Sequence, residues 1–240
     1  MIKNKLLRLS RSLFDQVGLS LTKGCHYTDD AALMRLKARG VEINTVIDVG
    51  ASDGRWSDRC MVHYPDAKYL LIEAQSVHNG SLEHFTSSRP NAQYVICAAG
   101  NNDGQIFFDN DDPLSGAASF EEVKNGTIVD MFMIDTLVEK HQLKPPFLIK
   151  LDTHGFEVPI LEGCSSIWNS VNVFAIEAYN YRINENALKF FELCAYMDER
   201  GYSTVDMSGI GSRKHDSSLW QMDLYFRPSK SKEFDYLGYQ

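Results

Sequence analysis

Val46-Ile47-Asp48-Val49-Gly50-Ala51-Ser52-Asp53-Gly54 is the stretch that decides the fold. An apolar, β-branched run passes straight into a turn of small residues, and a helical pattern opens at Arg55. Gly50 and Gly54 let the backbone approach a bound molecule where a side chain would intrude. Asp48 stands near the carboxyl end of the strand, the edge at which open α/β sheets bind ligands. The Gly-x-x-x-Gly spacing is not the Gly-x-Gly-x-x-Gly of a dinucleotide site, and no Gly-Lys-Ser/Thr follows as in a P-loop. An acid in the turn disfavours phosphate and suits a cationic or hydroxyl-bearing ligand.

Outward from this stretch, strands and helices alternate. Thr45–Val49, Tyr69–Ile72 and Tyr94–Cys97 read as strands, with helical patterns over Arg55–Tyr64 and Val77–Ser87. That rhythm predicts βαβ units and a parallel sheet. Gln105–Phe108 and Ile128–Phe132 read as strands flanking a polar stretch, Asp109–Gly126. A loop of that length is a candidate lid, with Ser115 and Ser119 available for polar contacts. Phe147–Leu151, a helix after Gly155, and Val171–Ile176 resume the pattern, and a helix over Asn186–Glu199 stops at Gly201. Tyr202–Val205 and Trp220–Phe226 have no helix between them and predict an antiparallel pair at one sheet edge.

Before this domain, Ile2, Leu6, Leu9, Leu13, Phe14 and Val17 recur at helical spacing among basic residues. The division expected is a helical extension over 1–40 and a ligand-binding domain over 41–240. The extension would pack on the domain, lie on a membrane surface, or join two copies as a homodimer. It lacks the continuous apolar core and cleavage site of a signal peptide.

The chain has 240 residues, 44% hydrophobic and 23% charged, which suits one α/β domain and excludes a disordered or fibrous chain. A net charge of −8 argues against binding to nucleic acid. No run approaches the roughly 20 apolar residues of a transmembrane helix. The five cysteines are scattered with no Cys-x-x-Cys pair, which reads as free thiols in a reducing cytoplasm.

Three further strand ends carry chemistry. Glu73 closes Leu70-Leu71-Ile72 about 25 residues after Asp48, near the roughly 20-residue offset of a ribose-binding acid. Its two oxygens can accept from both hydroxyls of one ribose. With no diphosphate cradle beside it, the pair points to an adenosine-type ligand, and S-adenosylmethionine fits. Leu148-Ile149-Lys150-Leu151-Asp152-Thr153-His154-Gly155-Phe156-Glu157 brings Asp152, His154 and Glu157 to the lip where a substrate would meet that ligand. Val173-Phe174-Ala175-Ile176 ends in Glu177, with Tyr179 just beyond.

These segments resemble the FkbM-type family of S-adenosylmethionine-dependent methyltransferases. Val46–Gly54 is similar to its glycine motif, Glu73 to its ribose acid, and Met133-Ile134-Asp135-Thr136-Leu137 to a segment preceding the fourth strand. Ile149-Lys150-Leu151-Asp152 through Gly155-Phe156-Glu157 to Leu161-Glu162-Gly163 resembles its most specific signature. His154 departs from the Glu or Gln more often found there. The resemblance spans roughly Thr45 to Phe226. It implies a Rossmann-like class I methyltransferase fold, a seven-stranded, mostly parallel sheet with an antiparallel terminal strand. It also implies O-methylation of a hydroxyl on a sugar, polyketide or other small molecule.

Cofactor contacts are then expected from Asp48, Gly50, Ala51, Gly54, Glu73, Ala74, Cys97 and Ala98. Catalysis would fall to Asp152, His154 and Glu157. His154 could act as general base, because an ordinary imidazole titrates near pH ~6.5. Alternatively, Asp152 and Glu177, with or without His154, could hold a divalent metal that acidifies the hydroxyl. Glu157 could equally be a first-turn helix acid. Two other readings stay open: a non-catalytic S-adenosylmethionine-binding module, and a nicotinamide-dependent oxidoreductase on the same kind of sheet.

Overall fold

The computed structural model describes residues 27–113, 115–124 and 126–239. The helical pattern read over residues 1–21 lies outside the described residues. The first described helix, α1 (Asp29–Ala38), begins at Thr28, whose Oγ1 accepts the Ala31 N–H. Asp29 and Asp30 in its first turn and Arg35 and Lys37 in its last complement the helix dipole.

The main sheet contains β1 (Thr45–Val49), β2 (Lys68–Glu73), β3 (Ala92–Ile96), β8 (Phe147–Leu151), β9 (Val171–Tyr179), β10 (Tyr202–Ser212) and β11 (Leu219–Pro228). Their order is β10-β11-β9-β8-β1-β2-β3. From β3 to β9 all neighbours run parallel, while β11 is antiparallel to both β9 and β10. The expected seven-stranded sheet with its antiparallel last strand is therefore formed. The chain moves outward from β1 in both directions, so a crevice opens between the ends of β1 and β8.

The side chains of each central strand alternate between two buried faces. Ile47 and Val49 of β1 face one core with Leu70, Ile72, Ile149 and Phe174. Val46 faces the other with Tyr69, Leu71, Leu148 and Val173. The second core is covered by α1, α2 (Arg55–His63) and α3 (Asn79–Ser87). The first is covered by α4 (Ile134–Lys140), α5 (Glu157–Glu162) and α6 (Phe190–Asp198). With both faces buried, the strands read as continuous apolar runs rather than polar–apolar alternations. Helix α1 buries Ala32, Leu33 and Leu36 in the second core, and its Arg35, with Arg39 just beyond it, grips Asp206 of β10 at 2.7 and 3.1 Å.

Three elements differ from the sequence reading. Helix α6 starts at Phe190 rather than Asn186, because Asn184 Oδ1 captures the N–H groups of Asn186 and Ala187. The helix is capped later, where Glu192 accepts the Lys189 N–H at 2.8 Å. The terminal strands extend well into the Gly/Ser-rich connection, aided by register shifts within the pair and by Gly209 at φ +60°. Finally, Asp109–Gly126 is not wholly loop. It contributes β6 (Ala117–Ser119), which joins β4 (Ala98–Ala99), β5 (Gly104–Asp109) and β7 (Thr127–Phe132) in a second sheet ordered β4-β7-β5-β6. Pairing of β6 with Phe107–Asp109 satisfies backbone groups that would otherwise lie unpaired at the β5 edge.

Candidate active site

A cleft of about 950 Å³, including its open mouth, lies at the carboxyl ends of β1, β2 and β8, and β5 and β6 form part of its wall. Gly50 (φ +76°) turns the chain out of β1, and a Cβ there would overlap the Asp152 carbonyl. Only glycine lets the β1 turn and the end of β8 approach this closely. Gly50, Ala51, Glu73, Ala74, Cys97 and Ala98 all line the cleft, together with Ser52, Trp56, Gln75 and Phe108.

Glu73 is buried and held by two backbone donors. Its Oε2 accepts the Ser52 N–H and its Oε1 the Gln75 N–H, each at 2.8 Å. Each oxygen keeps a lone pair for a further donor. Asp48 and Gly54 stand outside the lining. Asp48 points into the second core, where Ser57 Oγ donates to it at 2.6 Å. Burial pushes its carboxyl up to about 6. Gly54 is the positive-φ residue preceding α2, and a Cβ there would press on the Phe85 ring. Both belong to the structure beneath the turn: strand alternation sends every second side chain of β1 away from the neighbouring face.

The second half of the site follows β8. Lys150 is only 2% exposed, although its strand is otherwise apolar. Its ammonium pairs with Asp223 Oδ1 of β11 at 3.1 Å and Asp152 Oδ2 at 3.4 Å. Burial opposes its charge, but Asp152, Asp223 and Glu177 raise its pKa well above the ordinary range. Burial likewise works against the charge on Asp152, and Lys150 holds it below the ordinary carboxylate value. Glu177 moves the other way: burial, then the Asp152 carboxylate, pushes it up to about 8. Tyr179 Oη and Gln221 Nε2 both donate to Glu177.

His154 sits in the left-handed region at φ +51°, followed by Gly155 at +98°. Two clamps hold this turn. From inside, Glu157 Oε1 accepts the Gly155 N–H at 2.9 Å and the Thr153 hydroxyl at 3.2 Å. From outside, Asn184 Nδ2 donates to the His154 carbonyl at 2.8 Å. Glu157 is buried away from the cleft, so its geometry is that of a turn clamp and not of a group meeting substrate. The imidazole Nε2 lies 3.8 Å from both Asp152 Oδ1 and Glu177 Oε2. Ligating atoms of Asp152, His154 and Glu177 all lie within 4.8 Å of one another, so the three could hold a cation.

The residues also suit S-adenosylmethionine. Ser52 Oγ and Trp56 Nε1 are buried without a hydrogen-bond partner among the described residues, and both residues line the cleft. Buried polar groups in this state call for a polar ligand. Glu73 offers acceptors for a ribose diol, Ile72, Ala74, Ala98 and Phe108 offer apolar surface for a base, and the acidic lip favours a sulfonium cation.

Lys150, Asp223, Gln75 and Asn184 were not singled out from the sequence. A lysine inside an apolar strand was the one available signal, since a buried ammonium requires carboxylate partners.

The sheet order and the cleft at its carboxyl edge are of the Rossmann-like kind. Residues 48–204 match the Methyltransferase FkbM domain, and the chain belongs to that family. A methyltransferase FkbM from Methylobacillus flagellatus KT superposes with a TM-score of 0.50 at 18% identity, covering 77% of this chain and 45% of that one. The chain thus spans less than half the length of that protein. A precorrin-6y C5,15-methyltransferase from Geobacter metallireducens GS-15 gives a TM-score of 0.46 at 11% identity, with 82% and 86% covered. A candidate tRNA methyltransferase from Streptococcus pneumoniae, solved with S-adenosyl-L-methionine, gives 0.49 at 12%, with 84% and 73% covered. At 18% identity the first of these likenesses is one of fold alone. No curated protein sequence matches the chain. Among the described residues no helix is long and apolar enough to cross a membrane.

Proposed function

We propose that the chain transfers a methyl group from S-adenosylmethionine to a hydroxyl oxygen of a small molecule, such as a sugar or polyketide. The observation that carries this reading is the meeting, in one cleft, of a backbone-anchored acid, Glu73, with an imidazole flanked by two carboxylates. When bound, S-adenosylmethionine would supply an electrophilic methyl on a sulfonium, its S–CH3 bond breaking as the C–O bond forms and S-adenosylhomocysteine departing as the neutral thioether. Glu73 would hold its ribose, and Ser52 and Trp56 would donate to its polar groups. His154 Nε2 would accept the proton of the acceptor hydroxyl and release it to solvent, leaving the oxygen to form the new C–O bond. Asp152, held ionised by Lys150, would stabilise the imidazolium formed, and Glu177, pushed up to about 8, would add to this once it has lost its own proton.

Calorimetric titration with S-adenosylhomocysteine tests the donor. Binding at micromolar level is expected, weakened by about 10- to 100-fold in Glu73→Ala, the worth of one lost charged acceptor. Tight NAD binding instead would overturn the reading. Binding without methyl transfer to any hydroxyl acceptor would leave a non-catalytic module.

A second reading of the same cluster rests on its charge. Three carboxylates, Asp152, Glu177 and Asp223, surround one buried ammonium, which suits a divalent cation on Asp152, His154 and Glu177. On this reading, elemental analysis of the purified protein finds about one equivalent of metal, and chelation abolishes turnover. Full turnover after exhaustive chelation would leave His154 as the base.

A further inference from the structure

We propose that the Gly116 backbone carbonyl is the positioning group for His154: the strap formed by Asp109–Pro113 and Ser115–Ser119 sets the imidazole tautomer and so leaves Nε2 with its lone pair facing the acceptor. This rests on His154 receiving the hydroxyl proton. His154 Nδ1 lies 3.1 Å from the Gly116 carbonyl oxygen. A carbonyl only accepts, so Nδ1 must carry the hydrogen. In the neutral ring the other nitrogen, Nε2, is then the basic one. It is also the nitrogen aimed between Asp152 and Glu177. The ionised neighbour, Asp152, could not set this tautomer, because it favours a proton on Nε2. The strap opposes it with a single acceptor on the far side of the ring.

The strap is held where it is. The Pro113 carbonyl accepts from His78 Nε2 at 2.8 Å and Gln75 Nε2 at 3.2 Å, and Gln75 also reaches the Asp112 carbonyl at 3.3 Å. Ala117–Ser119 pairs with β5, and the Phe120 ring rests on Phe156, with centroids 5.3 Å apart. Gly116 has no room for a side chain: a Cβ would come within 2.6 Å of the Asp109 carbonyl, the Gln75 amide and the Phe108 ring. Gln75 joins the two halves of the cleft, because its backbone N–H donates to Glu73 while its side chain holds the strap. Displacement of the strap therefore disturbs the proton acceptor without removing any group that holds the methyl donor's ribose.

The tautomer can be read directly. Long-range proton–nitrogen spectra of the ¹⁵N-labelled full chain, at about pH 8.5 where an ordinary imidazole is neutral, report which ring nitrogen bears hydrogen. The His154→Gln spectrum identifies the His154 signals by their loss. Wild type is expected to show hydrogen on Nδ1. Gly116→Ala, which must push the strap outward, and His78→Phe, which cuts one of its ties, are expected to move His154 toward the Nε2–H form. Methyl transfer at saturating donor should slow by about tenfold or more in both variants, while in His78→Phe, whose side chain lies outside the cleft lining, S-adenosylhomocysteine affinity stays within about threefold. If Gly116→Ala fails to fold, His78→Phe carries the test alone. Hydrogen on Nε2 in wild type, or an unchanged tautomer and rate in the folded variants, would overturn the proposal. A tautomer that responds in a protein without methyl transfer would instead sink the reading of function and leave the positioning intact.

Discussion

His154→Gln slows methyl transfer by about 100- to 10,000-fold, the usual worth of a placed general base, while S-adenosylhomocysteine affinity stays within about twofold. Glutamine is the informative substitution because its amide reaches toward the place of the imidazole Nε2, keeps the polarity there and supplies no base. The clamp on the turn is made by Glu157, Asn184 and the backbone, none of which requires the imidazole. What is lost is the basic nitrogen 3.8 Å from Asp152 and Glu177. Single-turnover measurement at saturating donor and acceptor separates chemistry from binding. Wild-type turnover in this variant would remove His154 from the mechanism.

Lys150→Met destabilises the fold by about 3–5 kcal/mol, the cost of breaking a buried ion pair from one side. Methionine keeps the length of the side chain and fills the strand position, so the loss is of charge rather than of volume. Asp223, paired at 3.1 Å and itself largely buried, is left with no cation, and Asp152 loses the neighbour that holds it ionised. Urea unfolding at pH 7 measures the change. The double substitution Lys150→Met with Asp223→Leu should recover a large part of it, because removing both partners leaves no unpaired charge there. A single variant within about 1 kcal/mol of wild type would show that the three carboxylates do not depend on Lys150.

The two halves of the site differ in how far they could be read in advance. Gly50, Glu73 and Asp152, which line the cleft, and Glu177, buried beside His154, were legible because each lies at or just after the end of an apolar run, and in a parallel sheet those ends share one edge. Asp48 and Glu157 share that local setting and yet turn inward, to Ser57 and to the Gly155 N–H. Nothing in their spacing separates them from the residues that line the cleft. The difference is made by which face of β1 carries α2 and by the left-handed turn at His154. The Asp109–Gly126 stretch was legible as a candidate lid from its length and composition alone. Its strand β6 was not, because three small residues carry no alternation.

The layered α/β plan, the succession of strands and helices, and the acids and glycines at the strand ends are all written locally in the chain. These follow from local periodicity and from chain direction, which act over a few residues. Which of those residues meet depends on long-range packing. It set Lys150 of β8 against Asp223 of β11, Gln221 against Glu177, and the Gly116 carbonyl against a ring 38 residues away. The reason is physical: a buried charge or an imidazole takes its state from whatever the sheet order and the strap bring against it.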